Sequence, residues 1–412
     1  MFRNLFNAVK VEATGFLPSH QPESSLPENN AYQARINDII NNLPALLKEK
    51  KLRASVDVLN AEFPNPVLEL QKGNKAQKDA ALCFLTAIAQ AYVFEDTTKP
   101  IQHLPVTIAK PLYALAKSRQ RFPVMTYSDY VLNNWRLIDE TKPVSLDNIE
   151  IIVTFSGTKD EAWFIKIHVA IEAVSAQAIT AAQAAYHASL METPNLSIIK
   201  QSLRAITESL NQSIDIMHKM KDNCDPDIFW NVLRPYLGGW EKVKPANCED
   251  AGVYFEGIQA RDTKPFAFGG PSGAQSSIVP ALDAVLKIKH DIDGMHKKLL
   301  EFKEYMPNQH QAFILQFTNS KIKSVAKHSD NAELVAAYDD TVSAVKRMRG
   351  AHLGLVHAYI KNPAANHDIP AHAITGTGGA SIEGYLGGLY NDTRAICNAY
   401  AAGDTMECNN KL

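Results

Sequence analysis

The chain has 412 residues, of which 46% are hydrophobic, and its formal net charge at pH 7 is −2. This length is sufficient for two domains, or for one large domain that buries a cofactor. The small net charge argues against nucleic acid or an anionic membrane as the main partner, because either requires a basic face. We therefore expect a small neutral or zwitterionic ligand.

The cysteines, the N-terminal sequence and the most apolar run lead us to expect neither a secreted nor a membrane protein. Five scattered cysteines without a C-x-x-C pair predict neither a disulfide framework nor a cysteine-zinc site: Cys83, Cys224, Cys248, Cys397 and Cys408. The N-terminal "MFRNLFNAVKVEATGFLP" lacks the apolar core and cleavage site of a secretory signal. The most apolar run, residues 80–94, is shorter than the roughly 18 to 20 residues of a membrane span. We expect a cytoplasmic protein.

The first part of the chain is predicted to be mixed but mostly helical. The spacing of apolar residues predicts helices over 33–50 and 74–94. The one convincing strand lies in "NIEIIVTFSGTKDEAWFI", where β-branched residues precede a Ser-Gly turn and a helix near Glu161. We place a domain boundary there, which gives a small domain over 1–155 and a larger one over 156–412.

The second part is predicted to be all-helical, so the fold class is mainly α. In "NLSIIKQSLRAITESLNQSIDIMHKM", apolar residues step by three and four from Leu196 to Met217, which predicts a long helix with one buried seam. Further helices are predicted over 161–191, 278–305 and 331–361. Within the second of these, Pro280 must occupy a first turn or a kink.

Two irregular stretches, 238–277 and 362–384, interrupt the helices, and loops of this length are usually functional or disordered. The first contains "GGPSGAQSS", which lacks the strand and the G-x-S-x-G spacing of a catalytic serine elbow. The second contains "GTGGAS", which has neither the lysine of a P-loop nor a preceding strand. A flexible lid over a ligand is a better use of these glycines.

Arg234 and His168 each allow two interpretations. Arg234 precedes Pro235, where it either stabilises the C-terminus of a helix that ends there or holds a substrate carboxylate. His168 has Phe164, Ile165 and Ile171 at helical spacing, which is typical of a core histidine as well as of a functional one.

Two histidines lie five positions apart in "VKRMRGAHLGLVHAYI". They are separated by roughly 140° around a helix, so they cannot hold one zinc ion together. His357 lies on the polar side, whereas His352 lies in an apolar stripe with Val345, Met348 and Tyr359. His352 is therefore either a core histidine bonded to a carbonyl or the single axial ligand of a flat apolar cofactor such as haem.

Eight motifs, in this order, resemble the indoleamine 2,3-dioxygenase family from end to end. They are "GFLP" near residue 15, "AYVFE" near 91, "YSDYVLNNW" at 127, "FWNVLRPYLGGW" at 229, "GGPSGAQSS" at 269, "YMPNQHQAFI" at 305, "RGAHLGLVHAYI" at 349 and "GTGGAS" at 376. The resemblance implies a small N-terminal domain that caps a large all-α domain, with haem b between helices of the large domain. It also implies oxidative cleavage of the indole C2–C3 bond of L-tryptophan by both atoms of O2, which gives N-formylkynurenine and requires ferrous iron.

The resemblance assigns roles to individual residues. His352 matches the iron ligand, and Arg349 with its partner Asp283 matches the residues near a haem propionate. Further haem contacts are implied for Met217, Gly273, Leu355 and Val356, and Ser272 lies with Gly273 at the haem edge. Arg234 matches the residue that receives the substrate carboxylate, beside Phe229 and His168. Pocket positions are implied for Tyr127, Tyr130, Val131, Phe164 and Leu237, and Gly376, Thr377 and Gly378 belong to a loop that orders over substrate.

Two departures from the family pattern bear on the substrate. His168 stands where the family commonly has serine, and a histidine there is more like tryptophan 2,3-dioxygenase. It is expected to accept the indole N–H, to hydrogen-bond O2 or to coordinate iron. The loop with Pro271 is longer than usual. These features leave three alternatives to tryptophan cleavage: a dioxygenase for another, substituted indole, a haem-based gas sensor or carrier, and a helical protein without a cofactor.

Overall fold

The computed structural model describes residues 14–63, 70–244, 249–260, 263–290, 293–367, 369 and 374–401. The start of the predicted small domain, residues 1–13, lies outside these ranges, as do Cys248 and Cys408. Within them the protein is mainly α-helical, as predicted, with two short two-stranded sheets. One hydrophobic core extends from Phe16 to Tyr359. The domain boundary at 155/156 stays a prediction.

The first helices are α1 (Ala31–Asn41), α2 (Leu43–Lys48), α3 (Leu52–Glu62), α4 (Lys75–Phe94) and α5 (Val106–Ser118). The single helix predicted over 33–50 is two helices, because Asn42 leaves the helical conformation and Pro44 lies in the first turn of α2. A proline there has no N–H to continue the hydrogen bonds of α1. By contrast, α4 matches the predicted 74–94 and begins at a capping box formed by Asn74 and Gln77.

The strands are short. β1 (His103–Leu104) pairs in parallel with β4 (Tyr254–Phe255), and β2 (Trp135–Leu137) pairs antiparallel with β3 (Ile149–Ile151). β3 is the strand predicted from the sequence. The other three are too short to produce a recognisable alternation of apolar and polar residues.

Three long helices form the centre of the second part: α6 (Lys159–Ser189), α7 (Leu196–His218) and α12 (Ala332–Val356). α7 packs against both α6 and α12. Its predicted seam is buried from Ile199 to Met217. By length and composition α6 is apolar enough to cross a membrane, but 56% of its apolar window is buried inside the protein.

The remaining helices are α8 (Ile278–Leu286), α9 (Asp293–Glu304), α10 (Asn308–Gln316), α11 (Ile322–Lys327), α13 (Asn362–Asn366) and α14 (Gly388–Ala401). The single helix predicted over 278–305 is wrong, since α8 ends at Lys287, whose φ of 58° is left-handed. Pro280 lies in the first turn of α8, as expected. The predicted helix over 331–361 is α-helical only to Val356.

Irregular helical turns separate several of the regular helices. Stretches of π-helix cover Ser128–Leu132, Phe229–Leu233, His357–Lys361 and Ile382–Gly387, and 3-10 turns cover Arg234–Leu237, Trp240–Lys242, Gly273–Gln275 and Phe317–Asn319. Two helical turns, Met220–Asn223 and Pro226–Ile228, join α7 to the Phe229 turn. π-helical turns are rare and are frequent at functional sites. Several of the residues singled out by the sequence lie in these turns.

Candidate active site

Two histidines from different helices lie close together. His352 lies on α12 and His168 on α6. Burial and, to a smaller extent, the nearby His168 lower the pKa of His352 to about 4. Burial also lowers the pKa of His168. Both rings are therefore neutral near pH 7, which is the form that binds iron. Among the described residues, none hydrogen-bonds the His352 ring.

The hydrogen bond of His168 determines which of its ring nitrogens carries the proton. Nδ1 lies 2.8 Å from the carbonyl oxygen of Phe164, one helical turn earlier. A carbonyl only accepts, so Nδ1 must donate, and Nε2 is left with a lone pair. His168 can therefore accept a hydrogen bond through Nε2, but it cannot donate one to O2 from that nitrogen.

Aromatic rings line the same space. Phe164 lies 4.5 Å from the His168 ring and 5.1 Å from Phe229, measured between ring centroids. Tyr127 meets His168 edge-on at 6.0 Å, and Tyr359 meets Phe229 at 5.7 Å. The structure thus brings together three of the rings that the resemblance assigned to the pocket, and Tyr359 joins them.

Three further pocket assignments differ in their surroundings. Val131 and Leu237 are buried. Tyr130 turns away from the histidines, because its ring stacks on Phe155 at 6.0 Å and its hydroxyl donates to Glu161 at 3.1 Å. Its contacts therefore belong to the N-terminal end of α6.

The Arg349 side of the site carries a network of charges. Arg349 Nη2 donates to Asp283 Oδ2 at 2.6 Å, and Nη1 donates to Thr393 on α14. His290 lies between two carboxylates, with ring nitrogens 3.2 Å from both Asp283 and Asp392. Burial alone would raise the pKa of Asp283, but Arg349 and His290 outweigh it and hold that pKa below its usual range. The resemblance gave Arg349 and Asp283; the other three residues were missed.

The residues that the resemblance assigned to the faces and edge of the haem differ in their burial. Met217 and Val356 are buried, and Leu355 is half-buried. Ser272 caps the turn that begins at Gly273, with its hydroxyl accepting from Ala274 N at 3.3 Å. A Cβ built on Gly273 would meet no atom within 4 Å, so space is open beside this turn.

Arg234 is held by an aromatic ring and a backbone carbonyl. Its guanidinium lies 4.6 Å from the Trp230 ring centroid, and Nη2 donates to the Thr375 carbonyl at 2.6 Å. Nε is buried without a partner among the described residues. The expectation that a helix ends at Arg234 is wrong, because the backbone continues as a 3-10 turn to Leu237, whose first turn accommodates Pro235.

The two glycine-rich loops are in contact. Thr375 pairs with Ser381, and Gly376 N donates to Ala380 O at 2.8 Å, so residues 375–381 form a small hairpin, here named the lid hairpin. Gly270 N donates to Thr377 O at 3.0 Å, and Thr377 Oγ1 donates to Pro271 O at 2.6 Å. Gly378 is buried, with no room for a side chain between Phe302 and Ser272.

Glu172 was missed from sequence, although it follows His168 by one helical turn. Its Oε1 accepts from the Tyr127 hydroxyl at 3.0 Å and from the Ser276 hydroxyl at 2.8 Å. Burial raises its pKa to about 7. Glu172 therefore connects α6 with Tyr127 and with the "GGPSGAQSS" loop.

A bare metal ion has no obvious site in the part of the chain that the structure describes, since no three His, Cys, Asp or Glu residues cluster there. His357 is exposed, as predicted.

Comparison with known proteins gives consistent matches along the chain. A family model described as indoleamine 2,3-dioxygenase matches residues 7–395. Indoleamine 2,3-dioxygenase 1 of Rattus norvegicus is 31% identical over 93% of this chain and 93% of its own. The indoleamine 2,3-dioxygenase of Saccharomyces cerevisiae is 29% identical over 85% and 78%. A 6-hydroxytryptophan 2,3-dioxygenase of Fusarium equiseti is 28% identical over 95% and 91%.

Proposed function

The chain belongs to the indoleamine 2,3-dioxygenase family, and we propose that it inserts both atoms of O2 across the C2–C3 bond of L-tryptophan or a related indole amine. The product would be of the N-formylkynurenine type. The proposed cofactor is haem b, ferrous when active, with His352 as the iron ligand. The observation that carries this proposal is the pair of neutral histidines, His352 and His168, in one space with the Phe164 and Phe229 rings.

The residues around His352 fit a haem. The His352 ring is neutral and has no other partner among the described residues. Arg349 Nε is buried without an acceptor, which a propionate carboxylate would provide. Gly273 borders open space on the side assigned to the haem edge. When bound, the reduced iron supplies the redox chemistry that lets O2 react with the indole.

On the other side of the pocket, the protein orients the substrate. Phe164 and Phe229 offer apolar faces against which an indole ring can stack. His168 Nε2 accepts the indole N–H, since its lone pair is free. Arg234 holds the α-carboxylate, in place of its present bond to the Thr375 carbonyl.

The lid hairpin completes the enclosure. It rests on the Pro271 loop and on Phe302, so that with substrate bound it separates the pocket from water. The same arrangement suits a small-molecule substrate, with neither nucleic acid nor a membrane as partner. We propose a cytoplasmic location, consistent with the free thiols of Cys83, Cys224 and Cys397.

The second candidate is the same reaction on a substituted tryptophan, favoured by the similarity to the Fusarium 6-hydroxytryptophan enzyme. The loop on which the lid hairpin rests carries Pro271 in this chain, whose carbonyl accepts from the Thr377 hydroxyl.

The decisive experiment supplies haem-loaded, reduced protein with O2 and either L-tryptophan or ring-substituted tryptophans, and identifies products by mass. We expect a mass gain of two oxygen atoms on L-tryptophan. A gain only with a hydroxylated tryptophan would establish the second candidate. No product with any indole, from protein fully loaded with haem, would contradict both.

A further inference from the structure

The side chain of Gln275 bridges two backbone groups from distant parts of the chain. It lies at the end of the 3-10 turn Gly273–Gln275 and is 3% exposed. Its Oε1 accepts from the N–H of Tyr127 at 2.8 Å, and its Nε2 donates to the carbonyl of Gly270 at 2.9 Å. A backbone N–H can only donate and a carbonyl can only accept, so these two partners fix the orientation of the side-chain amide.

The Tyr127 end of this bridge belongs to the wall of the proposed pocket. Tyr127 immediately precedes a π-helical turn, which cannot supply an acceptor for an N–H at its start, so Gln275 supplies one. The Tyr127 hydroxyl donates to Glu172, whose same oxygen accepts from Ser276. Two consecutive loop residues thus hold Tyr127, one at its backbone and one through the acceptor of its hydroxyl. They fix the ring that meets His168 edge-on at 6.0 Å.

The Gly270 end of the bridge supports the lid hairpin. Gly270 N donates to the carbonyl of Thr377 at 3.0 Å. On another side, a Cβ at Gly270 would lie 2.3 Å from the carbonyl oxygen of Leu237, so only glycine allows the turn after Arg234 to approach this closely. Gly270 is therefore held between the lid hairpin, the Arg234 turn and the Gln275 amide.

We propose that Gln275 is a positioning residue that couples the lid hairpin to Tyr127. Three hydrogen bonds join them, from Gly270 to Thr377, from Gln275 to Gly270 and from Tyr127 to Gln275. A displacement of the hairpin therefore moves the backbone of Tyr127, and the cover and the wall of the pocket are set together. The importance of this coupling for the substrate rests on the proposed function, whereas the coupling itself exists without ligand.

The first test is kinetic. Gln275→Met keeps the length of the side chain and removes both hydrogen bonds. In haem-loaded protein we expect the KM for L-tryptophan to rise about 10-fold, because the hairpin and Tyr127 no longer share one position, and kcat to stay within about twofold.

Gln102→Met is the matched control. Gln102 is also a buried glutamine that bridges backbone groups, since its Nε2 donates to the carbonyls of Val243 at 3.1 Å and Asp250 at 2.9 Å. It has no contact with Tyr127 or Gly270 in the structure described. Gln102→Met should lower the unfolding temperature about as much as Gln275→Met does and leave KM unchanged. An unchanged KM in Gln275→Met, or an equal rise in both variants, would overturn the proposal.

The second test measures the coupling itself, because only a double-mutant cycle separates it from general loosening. Gly378→Ala displaces the hairpin, since a Cβ there would lie 2.6 Å from the Phe302 ring. Hydrogen exchange of segments 126–132 and 375–381 is followed by mass spectrometry in ligand-free protein. We expect Gly378→Ala to speed exchange about threefold or more in both segments. In the Gln275→Met background it should speed exchange only in 375–381.

The cycle has its own control and a clear contradicting result. In the Gln102→Met background, Gly378→Ala should still speed exchange in both segments. If Gly378→Ala speeds exchange of segment 126–132 equally with and without Gln275, the hairpin and Tyr127 are not coupled through this side chain, and the proposal is wrong.

A second variant keeps the test usable if Gln275→Met does not fold. Gln275→Glu, studied at pH 8 as a carboxylate, keeps an acceptor for the Tyr127 N–H and offers no donor to Gly270. It should speed exchange in 375–381 alone. Faster exchange in both segments, or in neither, would contradict the proposal.

Product formation by the wild type tests the proposed function separately. A wild type that forms product, with equal effects of Gly378→Ala in the presence and absence of Gln275, would contradict only the role of Gln275. A wild type that forms no product from any indole, while the exchange of its two segments depends on Gln275 as expected, would contradict only the proposed function.

Discussion

The His352 side and the Arg234 side of the site are built differently. His352 and Arg349 lie one turn apart on a single α-helix of 25 residues, and Arg349 pairs with the carboxylate of Asp283. Arg234 lies where a π-helical turn changes to a 3-10 turn, and its described polar contact is a carbonyl of the lid hairpin. The first side is regular and Arg349 has an ion-pair partner there, although its Nε still lacks an acceptor. The second side is irregular, and Arg234 has no ion-pair partner among the described residues.

This difference follows from what each side must hold. A resident cofactor needs a fixed ligand and a permanent counter-charge, which a long packed helix provides. A substrate that enters and leaves needs charged groups that are free to exchange partners, and these cost stability when they are empty. We therefore expect substitutions near His352 to change haem content, and substitutions near Arg234 to change substrate selection at constant haem content.

The largest effect is expected for His352→Ala. Loss of the proposed iron ligand should leave no stable haem complex, as measured by the haem absorption band after gel filtration, and no product above background. His357→Ala changes an exposed residue five positions later. It is the control and should retain both haem binding and product formation. If His352→Ala binds haem fully and its spectrum is unchanged, His352 is not the iron ligand, and the contrast between the two sides of the site is wrong.

The next largest effect is expected for Arg234→Lys. A lysine keeps the charge but loses the planar, two-pronged contact with a carboxylate, so kcat/KM for L-tryptophan should fall roughly 30-fold or more. Tryptamine, which has no carboxylate, should be affected much less, and the ratio of the two substrates is the measurement. If Arg234→Lys lowers the haem content instead, the His352 side and the Arg234 side of the site are not independent.

A smaller effect is expected for His168→Ser. If Nε2 accepts the indole N–H, wild type should prefer L-tryptophan over 1-methyl-L-tryptophan, and the variant should lose about 2- to 12-fold of that preference. The steady-state ratio of kcat/KM for the two substrates measures it. An unchanged ratio, together with an altered spectrum of the substrate-free protein, would instead assign His168 to the iron, as in a gas sensor.

The smallest effect on turnover is expected for Glu172→Gln, which keeps an acceptor for Tyr127. Its main effect should be on stability. The folded protein retains the Glu172 proton up to about pH 7, whereas an unfolded chain releases it near pH 4.3. Between these values Glu172 lowers the free energy of unfolding by about 1.4 kcal/mol per pH unit as the pH rises.

Urea unfolding at pH 5, 6 and 7 should therefore show the Glu172→Gln variant gaining stability relative to wild type as the pH rises. The stability of Glu208→Gln, on the exposed face of α7, should change with pH as the stability of wild type does. If the stability of Glu172→Gln also changes with pH as wild type does, the Glu172 carboxylate of the wild type is ionised throughout this range.

Much of the regular structure was predictable, because the spacing of apolar residues identifies long amphipathic helices. α4, α6 and α7 were predicted within about two residues, and the seam of α7 is buried as expected. The predictions were wrong where a single residue ends a helix. The spacing of apolar residues marks neither the left-handed Lys287 nor the break at Asn42, and a lysine gives no signal for a left-handed helix end of the kind that glycine gives.

The residues of the site were predictable to different degrees, because spacing along one helix reveals only local patterns. The apolar stripe around His352 is a local pattern on one helix, so spacing predicted that its ring is buried, whereas the role of iron ligand came from the resemblance to the family. Glu172 and His290 matter through contacts with residues 100 or more positions away, such as Ser276 and Asp392. No single window of sequence contains both partners, and only the folded chain brings them together.

The contacts of Arg349 bear on how the protein is made. Arg349 bonds to Thr393, and His290 meets Asp392, so α14 completes a network whose other members lie on and near α8 and α12. During synthesis, the helix that carries His352 emerges some forty residues before these contacts can form. The proposed cofactor site therefore cannot be finished while the chain is still growing through α13, and a chain that stops there would carry His352 without the contacts of α14. We therefore expect haem to be captured only after α14 has been synthesised.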